Sequence, residues 1–80
     1  MNPILCNNYE EWKYLMQRMR IPFKSAKSLY PFIGESHQLR GLPRHTTVFR
    51  YGKWRIRQGV DEIVDECRAR AFNFIDLGEE

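Results

Sequence analysis

Apolar and polar positions follow two rhythms along this chain, and the change of rhythm divides it. From residue 8 the rhythm is helical. Asn8-Tyr9-Glu10-Glu11 sets an N-capping residue three positions before a glutamate, and Trp12, Leu15, Met16 and Met19 follow at spacings of three and four. Pro22 stops that helix near Arg20, because the residue before a proline is pushed out of the helical region. A second helix is expected from about Gly59, with Val60, Ile63, Val64, Cys67, Ala71 and Phe74 as its buried stripe. Its first turn carries Asp61 and Glu62 and its end Arg68 and Arg70, the signs the helix macrodipole favours.

Between the helices, TTVFRYGKWRIR at 46–57 has a period of two. Tyr51-Gly52 reads as the turn of a tight hairpin. Alternation puts Thr47, Phe49, Trp54 and Ile56 on a core face, with Phe49 opposite Trp54. Thr46, Val48, Arg50, Lys53, Arg55 and Arg57 fall on the other, where Arg50 would oppose Lys53. Residues 22–45 are broken by Pro31 and Gly34 and turn at Gly41-Leu-Pro43; a short helix from Ser25 to Tyr30 and a short strand over 36–40 are expected there. The sum is one α+β domain over 1–80: an N-terminal helix, an irregular or short-helix segment, a basic hairpin that a third strand would extend to an antiparallel sheet, and a C-terminal helix packed on it. Residues 1–7 and 76–80 are expected to fray.

A hydrophobic content of 42% supports a folded core. Eighty residues bury only a modest core, so a bound partner or a second copy of the chain, as a homodimer, is an expected source of stability. Cys6 and Cys67 make one bridge at most and read as free, buried thiols. No basic segment followed by an apolar run precedes the first helix, and no apolar stretch nears bilayer length. The expectation is a cytoplasmic protein without membrane insertion.

Charge changes the picture more. The net charge of +3 hides a segregation: residues 12–58 hold 11 Lys/Arg and one acid, while residues 59–80 hold seven acids and two arginines. Such asymmetry marks an interaction surface. Arg50, Lys53, Arg55 and Arg57 on one rigid face suit successive phosphates, since the planar guanidinium fork matches phosphate oxygens. Lys24, Lys27, Arg40 and Arg44 would extend that patch, and Tyr51 at the turn would stack on an unpaired base. The competing feature is an acidic ridge. Asp61/Asp65 and Glu62/Glu66 are like-charge pairs at i,i+4, a repulsion that makes sense against a basic partner. Those acids pair with the hairpin cations of the same chain, dock a protein, or form an ordinary solvated helix face, since surface pairs contribute little.

Other chemistries have weaker signals. His37 and His45, with Glu35 and flanking arginines, lack a nucleophile–base–orienter spacing. Cys6, His37, His45 and Cys67 match zinc in number, but not in the short paired spacings of zinc sites. Gly34, Gly41, Gly52 and Gly59 are isolated, so there is no glycine-rich phosphate loop. No metal, cofactor or catalytic residue is expected. Gly41-Leu-Pro-Arg-His45 followed by Phe49 resembles the Gly-Pro-x-His loop and next strand of double-stranded-RNA-binding domains, which implies an α-β-β-β-α order. That family opens its last helix with lysines, where this chain has Asp61 and Glu62. The expected function is a non-enzymatic module that docks nucleic acid through phosphates. The alternative is a small regulatory or inhibitory accessory protein, of the kind compact viral or phage genomes encode, that binds an acidic protein surface or its own copy.

Overall fold

The computed structural model describes residues 1–78, which form three helices and a three-stranded sheet. In chain order these are β1 (Ile4–Leu5), α1 (Tyr9–Arg18), α2 (Phe23–Leu29), β2 (Thr47–Tyr51), α3 (Val60–Ala69) and β3 (Asn73–Gly78). Single 3₁₀ turns occupy Ser36–Leu39 and Trp54–Ile56. The α+β composition is as expected, but the sheet is not. β2 lies between β1 and β3 and runs parallel to both, so the expected antiparallel hairpin is absent among the described residues. After Gly52 the chain enters a 3₁₀ turn instead of returning along β2. The order implied by the likeness to double-stranded-RNA-binding domains is excluded with it.

The reason is burial. A strand wetted on one face needs alternation, whereas the middle strand of a parallel sheet is covered on both faces and needs apolar groups on both. β2 supplies them: Val48, expected on the charged face, is 0% exposed, and Tyr51, expected at an exposed tip, is 3% exposed. Ile56, expected in the core, is 71% exposed. Two apolar clusters sandwich the sheet. Ile4, Cys6 and Tyr51 pack with Trp12, Leu15 and Met16 of α1 and Ala26 of α2. On the opposite face, Leu5 and Val48 pack with Ile33, Leu39, Phe72, and Ile63 and Cys67 of α3.

Ile4 also bridges Phe32, on the side of β1 away from β2, through Ile4 N to Pro31 O at 2.9 Å and Ile33 N to Ile4 O at 3.2 Å. The chain therefore leaves β1 over one face to reach Phe32. It then crosses the other face twice, first to β2 and then, by way of α3, to β3. Leftward over one face and rightward over the other is the same sense of winding, so all crossovers share one hand, as parallel connections do. The connections leaving β1 and β2 depart to opposite faces, which opens a crevice at the C-terminal ends of those two neighbours.

Both chain ends depart from expectation. Pro3–Cys6 are buried in the sheet and Asp76–Gly78 are paired strand, while Glu79 and Glu80 of the expected frayed tail lie outside the described residues. The last helix stops at Ala69, because Ala71 turns left-handed at φ 55 and sends Phe74 into β3. The segment 36–40 holds a 3₁₀ turn in place of a strand, and α2 begins at Phe23. α1 is as the sequence reads, with Asn8 Oδ1 accepting from Glu11 N at 2.8 Å, although Met19 is exposed. Trp12 Nε1 donates to Tyr30 O at 2.8 Å and ties α1 to the chain entering the Phe32 bridge. Removing two buried methyl groups in Val48→Ala should cost about 2 kcal/mol by urea denaturation, and Ile56→Ala under about 0.5 kcal/mol. The reverse order would mean that β2 is not the covered middle strand.

Candidate functional site

Of the four cations expected on one hairpin face, Arg50 and Arg55 stay together at the Trp54 ring, whereas Arg57 is drawn inside. Arg50 lies beside Asp76 in the β2–β3 register and grips it with both edges of its fork, Nε to Oδ1 at 2.5 Å and Nη2 to Oδ2 at 3.1 Å. Its guanidinium carbon sits 4.4 Å from the Trp54 ring centroid and 4.6 Å from that of Phe74. Arg55 is exposed and covers the same Trp54 ring at 4.8 Å. Lys53 is exposed, and its backbone N–H donates to Glu11 Oε2 at 3.2 Å.

Arg57 is internal. It is 9% exposed, donates from Nη2 to Gly34 O at 2.8 Å and from Nη1 to Cys6 O at 3.3 Å, and lies over Phe32 at 5.1 Å. Burial pulls its guanidinium below the ordinary arginine value, offset in part by the charge of the neighbouring Cys6 where that thiol ionises. Arginine starts so high that it stays charged at neutral pH. Among the described residues it forms no ion pair.

The flanking cations separate into groups. Lys24 and Lys27 stand three positions apart on α2, both exposed, and Arg18 and Arg20 are exposed just before them. Arg40 pairs with Glu66 at 3.4 Å. Arg44 is exposed ahead of β2 while Lys53 and Arg55 follow its far end, so a strand length of about 17 Å divides them. Of the acidic ridge, Glu66 is taken by Arg40 and Arg70 and Glu62 accepts from Ser36 Oγ at 2.9 Å. Asp61 and Asp65 remain exposed, and with Arg50, Trp54, Arg55 and Arg68 they line a groove of about 500 Å³ between α3 and the 3₁₀ turn after β2.

The sequence did not reveal the crevice at the C-terminal ends of β1 and β2. There Glu11 joins the two loops: Oε1 accepts from Asn7 N at 2.8 Å and Oε2 from Lys53 N. Gly52, with φ 61, leaves room for this carboxylate, since a Cβ there would lie 2.5 Å from it. In the sequence Glu11 passes for an ordinary capping-box residue, and only the pairing of β1 with β2 brings residue 52 to it. The remaining candidates do not converge. Cys6 and Cys67 are buried on opposite faces of the sheet. Burial raises their thiols to about 12 and about 11, so both stay protonated at neutral pH. His37 Nδ1 meets Glu35 at 3.0 Å on the surface, and His45 sits in a left-handed turn at φ 66. Among the described residues, no three His, Cys, Asp or Glu side chains gather as a metal site, and no helix is long and apolar enough to cross a membrane.

Gly52→Ala should destabilise the protein by about 2 kcal/mol or more, from left-handed strain plus displacement of the Glu11 carboxylate. Gly41→Ala, where a Cβ meets nothing within 4 Å, should be neutral or gain up to about 1 kcal/mol. Equal effects in thermal melts would remove Glu11 from its place as the link between the loops. Comparison with family models, curated proteins and solved structures finds no match to this chain.

Proposed function

We propose that this is a non-enzymatic binding module that docks nucleic acid through phosphate contacts at the α1–α2 corner. One observation carries the reading. Arg18, Arg20, Lys24 and Lys27 are exposed within ten residues, and no acid occurs from residue 12 to residue 34. By contrast, Arg40 and Arg50 are neutralised by carboxylates and Arg57 is internal. Tyr14 and Phe23 are exposed among the corner cations, and Arg18 lies 5.8 Å from the Tyr14 ring centroid. Cations interleaved with accessible rings suit a single strand, whose phosphates take the charge and whose bases stack. Affinity is then weakly dependent on base sequence and steeply dependent on salt. A cytoplasmic location goes with this reading.

A second reading rests on the groove of α3. There Asp61, Asp65 and Arg68 of α3 share a groove of about 500 Å³ with Arg50 and Arg55, an arrangement suited to a protein partner of complementary charge, or to a second copy.

Anisotropy of labelled single-stranded and duplex DNA and RNA over a salt series separates the two. Arg20→Gln, Lys24→Gln and Lys27→Gln together should weaken single-strand binding at least about 10-fold and flatten the log–log salt slope by about 2. Lys53→Gln with Arg55→Gln should change it less than about 2-fold. Binding unaffected by the corner substitutions, or absent at low salt, would remove the nucleic-acid reading. Loss of a protein contact on charge reversal at Asp61 and Asp65 would then support the groove.

A further inference from the structure

Beside the buried Arg57 lies a half-open surface cavity of about 330 Å³, lined by Gly34–His37, by Arg57–Gly59 and by Glu62 and Ile63 of α3. It lies outside the C-terminal ends of the strands, where the chain leaves the Phe32 bridge and where α3 begins. It borders the carboxyl end of the Phe32 bridge and is separate from the crevice between β1 and β2 that holds Glu11. It is on the α3 face of the sheet, whereas the α1–α2 corner is on the opposite face.

Three features say what this cavity would hold. The first is Arg57. An arginine has five N–H donors, of which two are spent here on the carbonyls of Cys6 and Gly34. The carbonyls offer dipoles but no negative charge, and a buried cation without an anion is costly to keep. The second is the start of α3. Val60 N already bonds to Arg57 O at 3.1 Å, which leaves the N–H groups of Asp61 and Glu62, and Gly59 at the N-cap, with φ 75, brings no side chain to cover them. An anion against Arg57 would answer both the charge and the helix end.

The third feature restricts the anion. Glu62 and Glu35 also line the cavity; Glu62 accepts from Ser36 Oγ at 2.9 Å, while Glu35 meets His37 Nδ1 at 3.0 Å and accepts from the Gln38 backbone in a capping box. Carboxylates so close would repel a bare phosphate, yet they accept hydrogen bonds from hydroxyls. Anion-seeking and donor-seeking groups in one cavity select a molecule that carries both. The volume is at the small end of ligand pockets, about 300–1,000 Å³, which favours a sugar phosphate over a dinucleotide.

We infer that this cavity binds a small phosphomonoester bearing hydroxyl groups, its phosphoryl oxygens on Arg57 and the start of α3 and its hydroxyls on Glu62. The site is independent of the polyanion surface.

The test is a ¹⁵N-resolved titration of the whole chain with ribose 5-phosphate, inorganic phosphate and ribose, read at the Gly34 and Gly59 amides. Ribose 5-phosphate should move both amides at millimolar concentration and bind at least about 10-fold tighter than inorganic phosphate. Ribose should move neither. Glu62→Gln, an exposed change that leaves the fold in place, should bring the two phosphates within about 3-fold of each other by strengthening the inorganic ion and weakening the sugar phosphate. Silence of both amides with both phosphates overturns the site. Equal binding of the two phosphates to the native chain, unmoved by Glu62→Gln, overturns the ligand class and leaves an adventitious ion only. Binding of ribose as tight as that of its phosphate removes Arg57 as the anchor.

Discussion

The burial of β2 on both of its faces is the constraint on which the rest depends. Val48 presses into the cluster built by α3, while Tyr51 and Phe49 press into the one built by α1 and α2. A strand so placed needs a neighbour on each side and helices above and below, and eighty residues leave few candidates. The chain therefore uses its two ends. Ile4–Leu5 pair along one edge of β2 and Asn73–Gly78 along the other, in parallel, so that the middle of the sequence is clamped by its extremes. Contacts such as Ile4 with Phe49 span most of the chain, which makes them expensive to close and slow to form. Local structure such as the capped α1 is the natural precursor.

The same constraint redistributes the charges. In a hairpin the cations of residues 50–57 would have shared one wet face. In the parallel sheet Arg50 is placed beside Asp76 of β3, and the chain past Gly52 drops Arg57 across the carbonyl ends of β1 and the Phe32 bridge. Cationic residues that look functional in a linear reading thus become fasteners, each holding two distant segments together. Among the described residues, the exposed cations without an ion pair divide between the α1–α2 corner, with Arg18, Arg20, Lys24 and Lys27, and the scattered Arg44, Lys53, Arg55 and Arg68.

How much of this was legible can be told from particular residues. The first helix was, because its cap, its stripe of Trp12, Leu15 and Met16, and its proline stop are all local. The start of α3 was legible for the same reason. The sheet was not. Residues 46–57 contain a turn glycine between two alternating stretches, and nothing local distinguishes a hairpin from a strand followed by a 3₁₀ turn. The deciding fact is that Val48 needs cover, which comes from Ile63 and Cys67, far along the chain. Pro3-Ile4-Leu5-Cys6 and Phe72-Asn-Phe-Ile-Asp-Leu77 did carry a signal, as short apolar runs bounded by turn residues, but their proximity to the ends disguised it. Of the candidate residues, the exposure of Lys24 and Lys27 follows from local helix geometry. The fates of Arg50, Tyr51 and Arg57 depend on pairings across 23 to 51 residues, as does the link from Glu11 to Lys53.

The two thiols add something of a different kind. Cys6 is sealed beneath α1 and α2 and Cys67 beneath α3, each within a separate half of the core, and neither can reach the other while the sheet stands between them. Each half of the molecule therefore contains its own chemical clock. The rate at which an alkylating reagent reaches one sulfur reports the opening of that layer alone, and the ratio of the two rates tells whether the layers part from the sheet together or one at a time.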